Sequence, residues 1–210
     1  MTTFLIPQKY GEAELTVRRS RFLSRVWHVE TEDEALSRLR ESREKHRDAS
    51  HNVYAYLLRE GGATRFSDDG EPGGTAGRPV LNVFQSAGIE DACCVVSRYF
   101  GGVLLGAGGL VRAYSAAAKL ALDAAGVLET ALWRRLRLCC TYPQYEKIRR
   151  LLRERGGQIE REEFGSGVTL DLLLRDDTAD ATLGALTELS AGSAGIEARG
   201  TVFRGAEVTG

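Results

Sequence analysis

The stretch DACCVVSRYFGGVLLGAGGLVRAYSAAAKLALDAAG, residues 91–126, decides how the chain is organised. Asp91 to Tyr99 is short and almost unbroken in its apolar character, the pattern of a buried strand. Gly101 to Gly109 is too rich in glycine for regular structure and predicts a loop. Leu110 to Ala125 then predicts a long alanine-rich helix whose small side chains permit close packing, with Gly126 as its C-terminal stop. A glycine-rich loop that feeds a helix presents backbone N–H groups to an anion. Arg98 before the loop and Arg112 after it add fixed positive charge. The candidate anion site is therefore Gly101, Gly102, Gly106, Gly108 and Gly109 with these two arginines. Tyr99 and Phe100 offer aromatic faces to unstacked bases. The loop lacks the Lys-Ser or Lys-Thr of a P-loop, and Val111 stands at the third glycine of a dinucleotide fingerprint. The same glycines also suit a tight turn and close helix packing, which is the competing reading.

Upstream, alternation over Phe22–Val29 predicts a strand, and Thr31 followed by Glu34 predicts a helix start, the helix running to about His46. His51–Leu58, a Gly61-Gly62 turn and Thr64–Ser67 read as a hairpin. A second turn-rich segment, SDDGEPGGTAGRP at 67–79, predicts a structured loop, with a helix over Val80–Ser86. Gly74, Thr75, Gly77 and Arg78 of that loop join the anion candidates. Asp68, Asp69 and Glu71, with His51 from the neighbouring strand, form the candidate catalytic or metal-binding cluster. Those residue types also build tight turns in which carboxylates accept backbone hydrogen bonds. The sequence has no nucleophile-elbow motif and no HExxH, so no metal and no cofactor is assigned.

Downstream, the pattern is strand Leu132–Tyr142, helix Gln144–Arg155, strands Gln158–Phe164 and Val168–Leu174, helix Ala179–Ala191 and strand Ile196–Phe203. That βαββαβ order predicts a ferredoxin-like domain. The expected division is residues 1–128 and 129–210, an α+β chain of two domains, as 210 residues allow. The net charge of −1 hides a segregation: residues 133–155 carry +6, and residues from 156 onward carry −6. Arg134, Arg135, Arg137, Lys147 and Arg150 form a candidate secondary basic face, with a solvated helix face as the alternative.

The hydrophobic fraction of 43% and charged fraction of 27% sit close to globular averages and favour neither disorder nor a fibrous architecture. No apolar run approaches the ~20 residues that cross a bilayer. Met1–Tyr10 shows no signal-peptide pattern, so a cytoplasmic location is expected. The cysteines occur as adjacent pairs, Cys93-Cys94 and Cys139-Cys140, inside apolar strands and are expected to be core thiols.

HNVYAY at 51–56, SDDGEPGGTAGRP at 67–79 and RYFGGVLLGAGGLVRAY at 98–114 together resemble the signature of the YigZ/IMPACT family, in its order and spacing. The resemblance implies a first domain folded like the second domain of a small-subunit ribosomal protein and domain IV of elongation factor G. It implies a second domain similar to another elongation factor G domain. Val53 stands where the family has Cys, Gly73 where Ser is common and Ala107 where Thr is common. The expected function is a translation-linked regulator whose partner is RNA or a ribosome-associated protein. The alternatives are a hydrolase or phosphotransferase acting on a phosphorylated or nucleotide ligand, and a protein-interaction module.

Overall fold

In β6 (Ala92–Tyr99) every residue up to Arg98 is buried, so the strand needs partners on both edges and cover on both faces. The computed structural model describes residues 3–205, which fall into a unit of Phe4–Glu129 and a second from Thr130 onward. In the first unit β6 is the middle of an antiparallel sheet ordered β2 (Gly11–Val17), β3 (Ser20–His28), β6, β4 (His51–Leu57), β5 (Thr64–Ser67). A further strand, β1 (Thr3–Pro7), bridges Leu5 to Ile89.

The sheet is covered on both faces. Helices α2 (Gly77–Ser86) and α3 (Ala107–Ala125) lie on one, over a core that includes Phe22, Phe84, Leu81 and Tyr114. Helix α1 (Glu32–Lys45) covers the other, over Val29, Leu39, Tyr56 and Val95. Thr31 caps α1 by accepting the Glu34 N–H, and the Glu34 carboxylate accepts the Glu30 N–H, which satisfies two amides at that end. Successive strand residues face opposite ways, so Cys93 sits in the α1 layer and Cys94 in the α2/α3 layer. The alanines of α3 do what their size permits: Ala113, Ala117, Ala118, Ala121 and Ala125 are buried. A Cβ on Gly11 would lie 2.3 Å from the Ala121 carbonyl oxygen, so β2 rests backbone-to-backbone on the helix.

The second unit contains β7 (Val127–Cys140, its first residues lying in the first unit), α4 (Tyr142–Glu154), β8 (Gln158–Phe164), β9 (Val168–Arg175), α5 (Asp176–Leu189) and β10 (Gly195–Gly205). Its strands are ordered β10-β7-β9-β8 with every pair antiparallel, the ferredoxin-like arrangement that βαββαβ predicts. Leu136, Leu138, Ile148, Leu152, Leu170, Leu172 and Leu186 form its core. The opposite sheet face is a ladder of ion pairs, among them Arg137–Asp171 at 2.7 Å and Arg161–Glu163 at 2.7 Å.

Three expectations need correction. Strands β1 and β2 precede the first strand the pattern revealed; β2 is hidden because Gly11–Val17 mixes charge with small apolar residues and only Gly11 is fully buried. Helix α2 starts at Gly77 rather than Val80, and α3 at Ala107 rather than Leu110. Glycine and proline are tolerated in a first turn, where amides have no helical acceptor to lose, so the composition of both loops concealed the helix starts. Cys139 is exposed, whereas Cys93, Cys94 and Cys140 are buried as expected.

Candidate functional site

The loop between β5 and α2 is closed by its own acid. Asp68 Oδ1 accepts the N–H groups of Ala76 at 3.0 Å and Gly77 at 2.8 Å, and Oδ2 accepts that of Gly74 at 2.8 Å. A carboxylate thus occupies the place an external anion would take at the start of α2. Thr75 is buried and turned inward, its hydroxyl donating to the Pro72 carbonyl at 2.6 Å. Gly77 is required sterically, since a Cβ there would lie 2.6 Å from the Ser67 carbonyl oxygen. Gly74, Thr75 and Gly77 therefore build the loop rather than an open anion site. Arg78 is exposed, with its guanidinium over the Phe66 ring.

The remaining acids are likewise engaged. Asp69 accepts the Asn52 N–H at 2.6 Å and an Arg43 N–H at 3.1 Å, while its carbonyl oxygen meets His51 Nδ1 at 2.8 Å. Glu71 is buried. Its Oε1 accepts from Arg98 at 2.5 Å and from the Tyr114 hydroxyl at 2.7 Å, and its Oε2 faces His51 Nε2 at 3.9 Å. Burial, reinforced by the Glu71 bond, pushes the Tyr114 phenol far above its ordinary range. His51, Asp68, Asp69 and Glu71 do converge, as the sequence suggested, but as struts. Among the described residues no His, Cys, Asp and Glu side chains are grouped to hold a metal ion.

Arg98 is the main correction. It is only 4% exposed, ion-paired to Glu71, bonded to Ser20 Oγ at 3.3 Å and packed against the rings of Phe22 and Phe100. It ties the first loop to β6 and α3 and does not face solvent as a phosphate ligand. Tyr99 is also occupied, its hydroxyl meeting His46 Nδ1 at 2.9 Å and donating to Asp48 at 3.1 Å.

The start of α3 is built differently. Gly106 precedes it at φ 71°, and the first helical bond runs from the Leu110 N–H to the Gly106 carbonyl at 2.9 Å. The N–H groups of Ala107, Gly108 and Gly109 have no internal acceptor among the described residues. No side chain caps this end, and Ala107 and Gly108 are exposed. Arg112 is exposed and in no ion pair among the described residues. A Cβ on Gly108 would lie 3.6 Å from its terminal nitrogen, so the guanidinium lies against the first turn. Three unpaired amides, the positive end of a 19-residue helix and one guanidinium make a niche for a negative group. Gly101 and Gly102 lead up to it, the Gly101 N–H being held by Ser20 Oγ at 3.2 Å. Exposed apolar residues that sequence reasoning missed lie on the same loop and helix: Val103, Leu104 and Val111, with Leu104 81% exposed. Their signal was an apolar run inside a glycine loop, which reads equally as core.

The secondary basic face is largely neutralised. Arg134 binds Asp176 at 2.6 Å and Asp180 at 2.7 Å, Arg137 binds Asp171, and Arg150 binds Glu154 at 3.2 Å. Arg135 and Lys147 are in no ion pair among the described residues. Arg149 and Arg153, one helical turn apart on α4, line the clefts beside that helix and also lack ion-pair partners among the described residues.

A glycine-rich strand-to-helix connection in one α+β unit, joined to a ferredoxin-like unit, defines a two-domain architecture that comparisons with known proteins match. Residues 18–122 match the Impact N-terminal domain, and residues 138–193 match the Domain of unknown function (DUF1949). The chain belongs to the YigZ/IMPACT family. It is 34% identical to IMPACT family member YvyE of Bacillus subtilis, over 93% of this chain and 90% of that one. It is 33% identical to IMPACT family member YigZ of Escherichia coli, over 83% and 87%. A solved structure described as a hypothetical protein superposes with a TM-score of 0.61 at 31% identity, covering 93% of this chain and 97% of that chain. Among the described residues no helix is long and apolar enough to cross a membrane.

Proposed function

We propose that this protein is a translation-linked regulator that binds RNA on or near the ribosome through the start of α3. Family membership supports a translation-related role in general. The observation that carries the finer reading is the set of unpaired amides at Ala107, Gly108 and Gly109 with Arg112 laid against them. One phosphate of an RNA strand satisfies these donors, and the exposed Phe100 ring, at the other end of the Gly101–Gly106 loop, offers a face to a base. The carboxylates that an enzymatic reading needs are committed to the loop and to Arg98.

Fluorescence anisotropy with a labelled single-stranded oligoribonucleotide at low salt tests this. Gly108→Asp places a carboxylate beside the open amides where there is room for it. Affinity is expected to fall by about tenfold while the helix gains stability from an acid in its first turn. Unchanged affinity in that variant, or no RNA or ribosome association by the wild type at low salt, overturns the reading.

A further inference from the structure

Strands β2 and β3 are joined by two residues, Arg18 and Arg19, between the paired Val17 and Ser20. Both have positive φ, 44° and 68°, as a type I′ turn requires. Such turns select Asn-Gly, Asp-Gly or Gly-Gly, because residues with a larger side chain are strained there. Two arginines are thus held at the positions of a hairpin least suited to them. Nothing inside the unit accounts for their presence. Both are exposed, and neither side chain makes a hydrogen bond or ion pair among the described residues. Arg21, two residues on, differs in being bonded to Glu14 at 2.7 Å.

The hairpin tip is fixed against the glycine loop that leads to α3. A Cβ on Gly101 would lie 2.1 Å from the Arg19 carbonyl carbon, so the two backbones are in direct contact. Ser20, fully buried, holds the Gly101 N–H and the Arg98 guanidinium together. Gly101 and Ala107 are six residues apart, a separation of at most about 20 Å along an extended chain. Phe100, 48% exposed, adjoins the loop at its hairpin end.

We propose that Arg18 and Arg19 form a second phosphate-binding point, so that the ligand of this face is a single-stranded polyanion, an RNA strand, and not an isolated phosphate group. The proposal rests on the reading of the α3 start as an RNA contact and extends it to the hairpin. Two guanidinium groups on a rigid tip, separated from the α3 niche by the Gly101–Gly106 loop, with the exposed Phe100 ring at the loop's hairpin end, suit a strand of several nucleotides. Backbone phosphates reach the two ends and a base reaches Phe100.

The full chain with Arg18→Asn and Arg19→Gly together provides the test, because this pair converts the turn to its preferred sequence. Its melting temperature is expected to rise. Its affinity for a single-stranded oligoribonucleotide is expected to fall, with the negative slope of log affinity against log salt becoming shallower by about 1.4, about 0.7 for each phosphate no longer neutralised. A melting temperature that rises with affinity and slope unchanged overturns the proposal, and so does a fall in affinity whose salt slope stays at the wild-type value. Gly108→Asp, measured beside it, separates the two readings: if only that variant loses affinity, the niche binds RNA and the hairpin does not. A charge-only control, Arg18→Lys with Arg19→Lys, is expected to retain most of the affinity, and a weakening in it equal to that of the Asn-Gly pair also counts against phosphate binding.

Discussion

Helices α2 and α3 both follow a glycine-containing approach, GGTA at 73–76 and GGVLLG at 101–106, yet one start is closed and the other open. At α2 the Asp68 carboxylate collects three backbone N–H groups, and at α3 three N–H groups find no internal partner among the described residues. The first helix end is part of the fold's stability, and the second leaves its donors open among the described residues. A glycine-rich approach to a helix therefore says little about ligand binding until the nearest acid is located.

The largest effect that would break this contrast is expected from Glu71→Ala, which strips a buried Arg98 of its counter-charge and Tyr114 of its acceptor. Breaking a buried pair costs about 3–5 kcal/mol, read as a shift in the urea midpoint. Asp68→Ala should cost somewhat less, about 2–3 kcal/mol, because the freed amides of α2 gain water. In that variant α2 should come to resemble α3, so added inorganic phosphate should raise its melting temperature more than the wild type's. Next in size, Gly101→Ala should destabilise the first unit by about 1–3 kcal/mol, since its Cβ meets the Arg19 backbone. Gly108→Ala, with ordinary contact distances, should stabilise α3 by up to about 1 kcal/mol. Equal effects of the two glycine substitutions would erase the distinction between a packed loop and an open helix end.

The smallest effect concerns pH. His46 is held below its ordinary value of 6.5, by burial first and then by Arg25 and Lys45, against the opposing pull of Asp48 and Glu12. A histidine with a depressed folded-state value binds protons more readily when unfolded. Stability is therefore complete above about pH 6.5 and declines as the pH falls below it. Urea midpoints between pH 7 and 5 should fall in the wild type and fall less in His46→Gln.

The second unit was almost fully legible, because a strand period of two and a helix period of 3.6 alternate there without interruption from Leu132 to Phe203. Strand β2 was not, since its inner face carries Gly11, Ala13 and Leu15 against the alanines of α3, and close backbone packing leaves no strong apolar rhythm. The candidate cluster of His51, Asp68, Asp69 and Glu71 was found by residue type, and the turn that brings these residues together has no signature of its purpose. Arg98 misled for a physical reason: a cation beside a glycine loop looks like a ligand, and only the burial of Glu71 from a loop 27 positions earlier reveals it as a strut. Arg112 is different because no acid lies within ion-pair distance of it among the described residues.

Cys93 and Cys94 stand back to back on β6, each sealed in a different layer, with burial pushing Cys94 up to about 12 and Cys93 higher still. Neither sulfur is reactive until its own layer opens. In chains with Cys139→Ser and Cys140→Ser, alkylation kinetics of Cys93→Ser and Cys94→Ser variants would then time the release of α1 separately from that of α2 and α3, making one dipeptide a two-channel clock for how the sheet is uncovered.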